Sequence, residues 1–332
     1  MDIYALNAEL ERVAVLAPIN VQWNRKYYEC GDFAIQLYAE NYSDEFKYVY
    51  RKGKELGLIQ KVEYSFSNNI KTVMISGFFS EKELDDSIIY PAYSGTGTPE
   101  EQMRAIFNKY NTNKSIQLGE LQGLGESVSY KNDGIDVCEM GKSMYEMLKT
   151  QQMSLKIDYD FEHNTKTLKV FKGKDRTHDQ TENSFATFSV KFGNITKVNY
   201  VSDSSNYKNY FVATDASGGS YTLDLSNGGD KHKMRFNSGS NMTNAELQQY
   251  TKEQAEKYAN ITNFEVEVNP SFYEYGVDYD LGDICDVVIN DLTISYKCCI
   301  IEIYEVYKAG EQNISLVLGD KIPTNLAKAR LT

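Results

Sequence analysis

The chain has 332 residues, 41% of them hydrophobic and 25% charged, with a formal net charge of −12. That length predicts two or three domains, since single cores stop growing at roughly 250 to 300 residues, and the apolar content excludes wholesale disorder. The acidic balance repels phosphate backbones and no basic cluster interleaved with aromatics offsets it, so no specific nucleic-acid binding is expected.

No stretch reaches the ~18 to 20 apolar residues that cross a bilayer; Cys298 to Tyr307 is interrupted by Glu302 and Glu305. The start Met1-Asp2-Ile3, followed by Glu9 and Glu11, lacks the basic and apolar regions of a signal peptide. A soluble protein without a membrane partner is therefore expected. Cys30, Cys138, Cys285, Cys298 and Cys299 form neither paired spacings nor a C-x-x-C, which predicts reduced thiols rather than a disulfide scaffold or zinc site.

Residues 1–95 read as β-structure. Phe33, Ile35 and Leu37 alternate with Ala34 and Gln36, the period of a half-buried strand. Leu58 to Phe66 and Ile70 to Ser76 flank Ser67-Asn68-Asn69, which predicts a hairpin. Gly95-Thr96-Gly97 marks a boundary.

Residues 96–186 read as a small α+β domain. Thr98-Pro99-Glu100-Glu101 is a helix start with a capping box, followed by Met103, Ile106, Phe107 and Tyr110 at helical spacing. A second helix is expected to open at Asp136 and to present Val137, Met140, Met144 and Leu148 on one face. Leu155 to Phe161 and Leu168 to Val170 predict a hairpin across Glu162-His163-Asn164-Thr165.

Residues 187–332 return to β-structure. Phe188, Val190 and Phe192 alternate as a strand, and Tyr210–Thr214 is expected to pair with Tyr221–Leu225 across Ser217-Gly218-Gly219. Thr243 and Glu246 form another capping box, so a helical insertion is placed at about 226–262. Its Leu247, Tyr250 and Tyr258 are expected to pack on a barrel edge. Asn290-Asp291 is a turn between the strands Ile284–Ile289 and Leu292–Tyr307.

Catalytic signatures are missing. There is no phosphate loop, no nucleophile elbow and no H-E-x-x-H, and His163, His178 and His232 fall in polar turns and loops where solvated side chains are expected. No cofactor or metal is called for. Glu100, Glu101, Glu139 and Glu246 sit at expected helix N-termini, where the dipole favours them. A pair of carboxylates for a cell-wall hydrolase can always be chosen among 47 Asp and Glu, and exposed tyrosines allow a carbohydrate-binding module. Both stay open as alternatives.

Three runs stand out. Trp23 to Phe33 enters a strand through Gly31-Asp32-Phe33; Gly173-Lys174-Asp175-Arg176-Thr177 follows a hairpin; Asp278-Tyr279-Asp280-Leu281-Gly282-Asp283 feeds another strand. Each alone reads as a tight turn in which Gly supplies a positive φ and Asp bonds neighbouring amides.

Taken in this order, the runs resemble the siphovirus tail-hub proteins, relatives of the Tal and contractile-phage baseplate-hub proteins. Cys285, after Ile284, departs from the small β-branched residue more usual there. The resemblance implies a β-rich α+β fold with two related β-barrel hub domains, at 1–95 and 187–332, around a mixed α/β middle domain. It implies a non-enzymatic structural protein of a phage tail or tail-like particle, assembled in the bacterial cytoplasm and forming a homotrimeric ring. The expected partners are the tail tube or distal tail protein, a spike or tip protein and the tape-measure protein. Because the chain stops at Thr332 after a polar tail from Pro323, the puncturing part is expected to be a separate polypeptide. Trp23, Gly31, Asp32, Phe33, Gly173, Asp175, Arg176, Gly282 and Asp283 are the structural motif residues that the resemblance picks out.

Overall fold

The computed structural model describes residues 2–132, 137–269, 271–308 and 310–319. The expected helix start at Asp136 and the polar tail from Pro323 lie outside these residues. The first seven strands are β1 (Ile3–Leu6), β2 (Arg12–Val15), β3 (Asn20–Lys26), β4 (Asp32–Tyr38), β5 (Tyr48–Arg51), β6 (Leu56–Ser67) and β7 (Ile70–Phe79). β6 and β7 form the expected hairpin, closing from Ser67 to Ile70 through Asn68 and Asn69, both at positive φ. That is the primed turn whose twist suits a two-residue hairpin, and asparagine tolerates it.

The middle of the chain contains β8 (Tyr93–Gly97), α1 (Pro99–Tyr110), β9 (Ile116–Leu118), β10 (Val128–Asn132), α2 (Met140–Lys149), β11 (Ser154–Asp160) and β12 (Thr165–Phe171). The capping box of α1 forms, with Thr98 and Glu101 satisfying each other's backbone N–H groups. α2 starts later than its sequence suggests. Glu139 precedes the first turn, and Met140, Met144 and Leu148 join Leu84, Ile106, Phe107, Ile157 and Leu168 in one core.

The last third contains β13 (Thr187–Ser189), β14 (Ile195–Asp203), β15 (Tyr210–Thr214), β16 (Ser220–Asp224), β17 (Lys233–Asn237), α3 (Asn244–Glu256), β18 (Ile261–Val268), β19 (Ile284–Ile289), β20 (Ile294–Lys308) and β21 (Glu311–Gly319). The strand expected through Phe192 stops at Ser189. A 3-10 turn follows, with Val190 and Phe192 exposed, because the chain must reverse at left-handed Gly193. Tyr210–Thr214 pairs as anticipated, but the stretch after it is more than an insertion loop. β17 lies parallel to β15, and α3 packs Leu247 and Ala255 on Phe211 and Phe236. The helix thus covers its own small sheet rather than a barrel edge.

The two β-rich regions do not close into separate barrels by hydrogen bonding among the described residues. Eleven strands run in the order β14-β18-β21-β20-β3-β4-β7-β6-β5-β1-β2, with β19 and β13 attached beside β20. What joins the regions is β3 on β20, paired from Lys26 opposite Glu302 to Asn20 opposite Lys308. Each side of this joint keeps its own core, one around Trp23, Phe33 and Ile75 and one around Phe264, Ile303 and Leu316.

Within the sheet a four-strand unit occurs twice. β3-β4-β7-β6 and β14-β18-β21-β20 have the same chain order, the same antiparallel pairing and the same register. Even the irregularity recurs. The β6–β7 ladder shifts between Ile59 and Lys61, and the β20–β21 ladder between Ile300 and Glu302. Buried Phe33, Ile35 and Ile75 occupy the positions of buried Phe264, Val266 and Leu316. A shared bulge is a specific feature, because one extra residue reverses the facing of everything beyond it.

Candidate functional site

The three runs singled out in the sequence meet at one place. Along one edge, β20 is shared end to end: β19 pairs with it up to Cys299, and β3 takes over from Glu302. The gap between the two partners is filled by the runs themselves. Gly282 donates its N–H to Ile300 O at 2.8 Å, Ile300 donates to Asp283 O at 2.8 Å, and Tyr27 donates to Ile301 O at 2.8 Å. The Gly173 run then lies alongside, with Ile284 N donating to Lys174 O and Arg176 N to Ile284 O.

Asp283 organises this junction. Its buried carboxylate accepts from Lys174 N at 2.7 Å, Asp280 N at 2.9 Å and Arg176 Nε at 2.5 Å. Arg176 is also buried and donates further to Ser184 Oγ and to Val277 O. A charged pair away from water persists only when nearly every donor and acceptor is engaged, and here they are. Asp175 accepts from Thr177 N and Oγ1, which turns the chain out of the junction.

The glycines are needed chiefly for close approach. A Cβ on Gly173 would sit 1.9 Å from Gly282 O, and one on Gly31 would sit 2.4 Å from Asn24 O and 2.6 Å from the Phe79 ring. Of Gly31, Gly173 and Gly282, Gly282 alone combines crowding with left-handed backbone, at φ 88° against the Tyr27 ring. The positive-φ explanation therefore holds for Gly282 and not for Gly31, whose constraint is steric. Asp32 receives Lys26 Nζ at 3.0 Å, while Phe33 packs on Trp23 with ring centroids 5.7 Å apart.

Beside the junction lies a second polar group that the sequence did not disclose. Trp23 Nε1 donates to Glu55 Oε2 at 2.8 Å, and Arg25 reaches Glu55, Asp280 and the Tyr275 hydroxyl. Burial would raise the Glu55 carboxyl, but Arg25 and the indole N–H hold it below its ordinary value. Further along β20, Arg51 makes a two-pronged contact with Glu305 at 2.8 and 2.9 Å, and Glu305 is fully buried. A signal for Glu305 existed: it shares a strand face with buried Ile303, so an inward carboxylate required an inward cation.

A cleft of about 230 Å³ opens between the junction and the middle core, lined in part by Arg25, Lys54, Glu55, Glu81, Tyr145 and Asp280. Its acids have structural tasks. Glu81 Oε1 accepts from Ile157 N at 2.7 Å, and burial pushes its carboxyl up to about 7. Among the described residues no group of His, Cys, Asp and Glu is placed to hold a metal ion, and no helix is long and apolar enough to cross a membrane. All five cysteines are free thiols. His178 bonds Asp286 at 2.9 Å and His163 bonds Asp160 at 2.7 Å, with both rings largely exposed.

Three outcomes follow for stability. Arg51→Met strands Glu305 and costs about 3–5 kcal/mol in denaturant unfolding, whereas adding Glu305→Leu to it recovers most of that loss. Gly173→Ala forces apart two backbone segments in contact and costs about 3 kcal/mol or more, against less than about 1 kcal/mol for Gly229→Ala, whose Cβ has only Ser226 O near it. Because the folded pKa of Glu81 is raised above the unfolded value, the native state binds more protons between pH 4.5 and 7, and stability falls across that window as pH rises. Glu81→Gln keeps the carbonyl acceptor, flattens the fall and stabilises the protein at pH 8 by up to about 3 kcal/mol, with no gain at pH 4.

Comparison with known proteins places this geometry in a family. Residues 1–320 match the family described as Siphovirus ReqiPepy6 Gp37-like protein. No curated protein matches the sequence. Among solved structures, a tail protein from Neisseria meningitidis MC58 superposes with a TM-score of 0.64 at 13% identity, covering 96% of both chains. The 43 kDa tail protein of prophage MuSo2 from Shewanella oneidensis gives 0.61 at 10% identity, covering 96% of this chain and 98% of that one. Prophage tail protein gp18 from Listeria monocytogenes EGD-e gives 0.61 at 12% identity, covering 100% and 98%. With this fold and a family match over nearly its whole length, the chain belongs to the Siphovirus ReqiPepy6 Gp37-like family and shares the fold of phage tail proteins.

Proposed function

We propose that the chain is a structural, non-enzymatic hub of a phage tail or tail-like particle, with three copies forming a ring that joins the tail tube to the spike or tip. The observation that carries this reading is the doubled four-strand unit. Three copies bearing two such units present six similar sheets, which lets a threefold component meet a sixfold tube. The tail-protein fold and the resemblance of the three runs to hub proteins support the same role.

The ionisable groups of the candidate site also favour a structural part. Asp283, Arg176, Glu305 and Arg51 are spent on each other and on backbone groups, leaving none of them poised to transfer a proton to a substrate. The sheet face turned away from the cores carries Asp32, Glu63, Asp203, Glu265, Glu267 and Glu302 together with Lys26, Lys61 and Lys197, which pair with Asp32, Glu63 and Glu267. This is a mixed lining with an acidic excess that does not attract DNA as a basic channel would. The distal tail protein, the spike or tip protein and the tape-measure protein are the partners this position requires.

The test is copy number. Quantitative mass spectrometry of assembled tails, together with light scattering of the purified protein, is expected to give three copies per tail. One copy per tail would overturn the ring.

A further inference from the structure

The doubled unit also exposes a missing contact. In the second unit, one side of β20 is covered by β3, and its inward residues Ile303 and Glu305 are 0% exposed. The matching residues of the first unit, on β6, are Val62 and Tyr64, followed by Phe66 in the place of Tyr307. These are 46%, 62% and 58% exposed. On its outer side β6 pairs with β5 only from Leu56 to Leu58, so among the described residues its backbone edge is open beyond Ile59. At the other end of the sheet β14, the counterpart of β3, has an unpaired outer edge among the described residues. Its Val198 and Tyr200 are half-buried, whereas Val21 and Trp23, the equivalent residues of β3, are fully buried.

We propose that β6 of one copy pairs with β14 of the next, antiparallel, in the register that β20 and β3 adopt within the chain. Transferring that register puts Lys61 opposite Asp203, Tyr64 opposite Tyr200 and Phe66 opposite Val198. Two features of the sequence agree with a placement derived from backbone pairing alone. The opposite charges of Lys61 and Asp203 stand where Glu302 faces Lys26 in the internal joint. The apolar side chains of both strands fall on the core-facing side, so the sheet continues without a break in polarity. Until the partner docks, Lys61 is held by Glu63 at 2.9 Å, and charges on a naked edge discourage indiscriminate pairing. The contact is head-to-tail, so it propagates from copy to copy, as the three-copy ring requires, instead of stopping at a twofold dimer.

This joint rests on the ring reading above, and the experiment separates the two. Tails are assembled with a chain carrying both Tyr64→Cys and Tyr200→Cys, then oxidised. Directly opposed residues lie within disulfide reach, so covalent trimers are expected, while either single variant gives none and a mixture of the two stops at dimers. Phe66→Glu, on an exposed side chain, is expected to abolish ring formation while leaving the melting temperature of the free chain unchanged. Lys61→Glu and Asp203→Lys each weaken assembly, and together they restore it. Three copies per tail without cross-links would overturn the joint and leave the ring standing; one copy per tail would sink both.

Discussion

The fold depends on one strand edge having two partners. β20 gives its first half to β19 and its second to β3, and the change occurs across Ile300 and Ile301. Where one partner strand ends and another begins, backbone groups are left without a ladder, and inside a protein each such group costs free energy unless something else bonds it. The Tyr27 and Gly282-Asp283 segments supply those bonds from opposite ends of the chain, and the Gly173 run locks both in place. Substituting the glycines or Asp283 would therefore disturb the union of the two β regions rather than one local turn.

The ion pairs follow from the same union. Arg51 and Glu305 are 254 positions apart, and Arg25 and Asp280 are 255 apart, so each pair crosses the joint. Buried pairs of this kind contribute little net stability compared with apolar packing, but they penalise every arrangement in which one partner is stranded. At a joint between two similar sheets that is a useful property. β20 could in principle lie against either unit's first strand, and only pairing with β3 gives Glu305 its guanidinium.

The repeat explains why the surface is uneven. In the second unit β3 lies against β20, whereas in the first unit the matching strand β6 has no pairing partner on its outer side beyond Ile59 among the described residues. The difference shows as exposed Val62, Tyr64 and Phe66 on the β6–β7 hairpin, where the matching Ile303 and Glu305 of β20 are buried. The short sheet and helix between β14 and β18 lie outside the repeated unit.

Local features were legible in the sequence because their causes are local. The hairpin at Asn68-Asn69, the capping boxes at Thr98 and Thr243, and the alternation of Phe33, Ile35 and Leu37 each depend on residues a few positions apart. The three glycine-containing runs could be marked from composition and order, but nothing in their spacing revealed that they touch. The strand expected through Phe192 failed because alternation continued past the point where Gly193 reverses the chain. Only tertiary structure decided that two β regions would share one sheet, that Arg51 would face Glu305, and that one unit would repeat the other down to its bulge. Pairing partners, unlike turns and caps, are chosen by complementary edges hundreds of residues apart, and those edges exist only once the chain has folded.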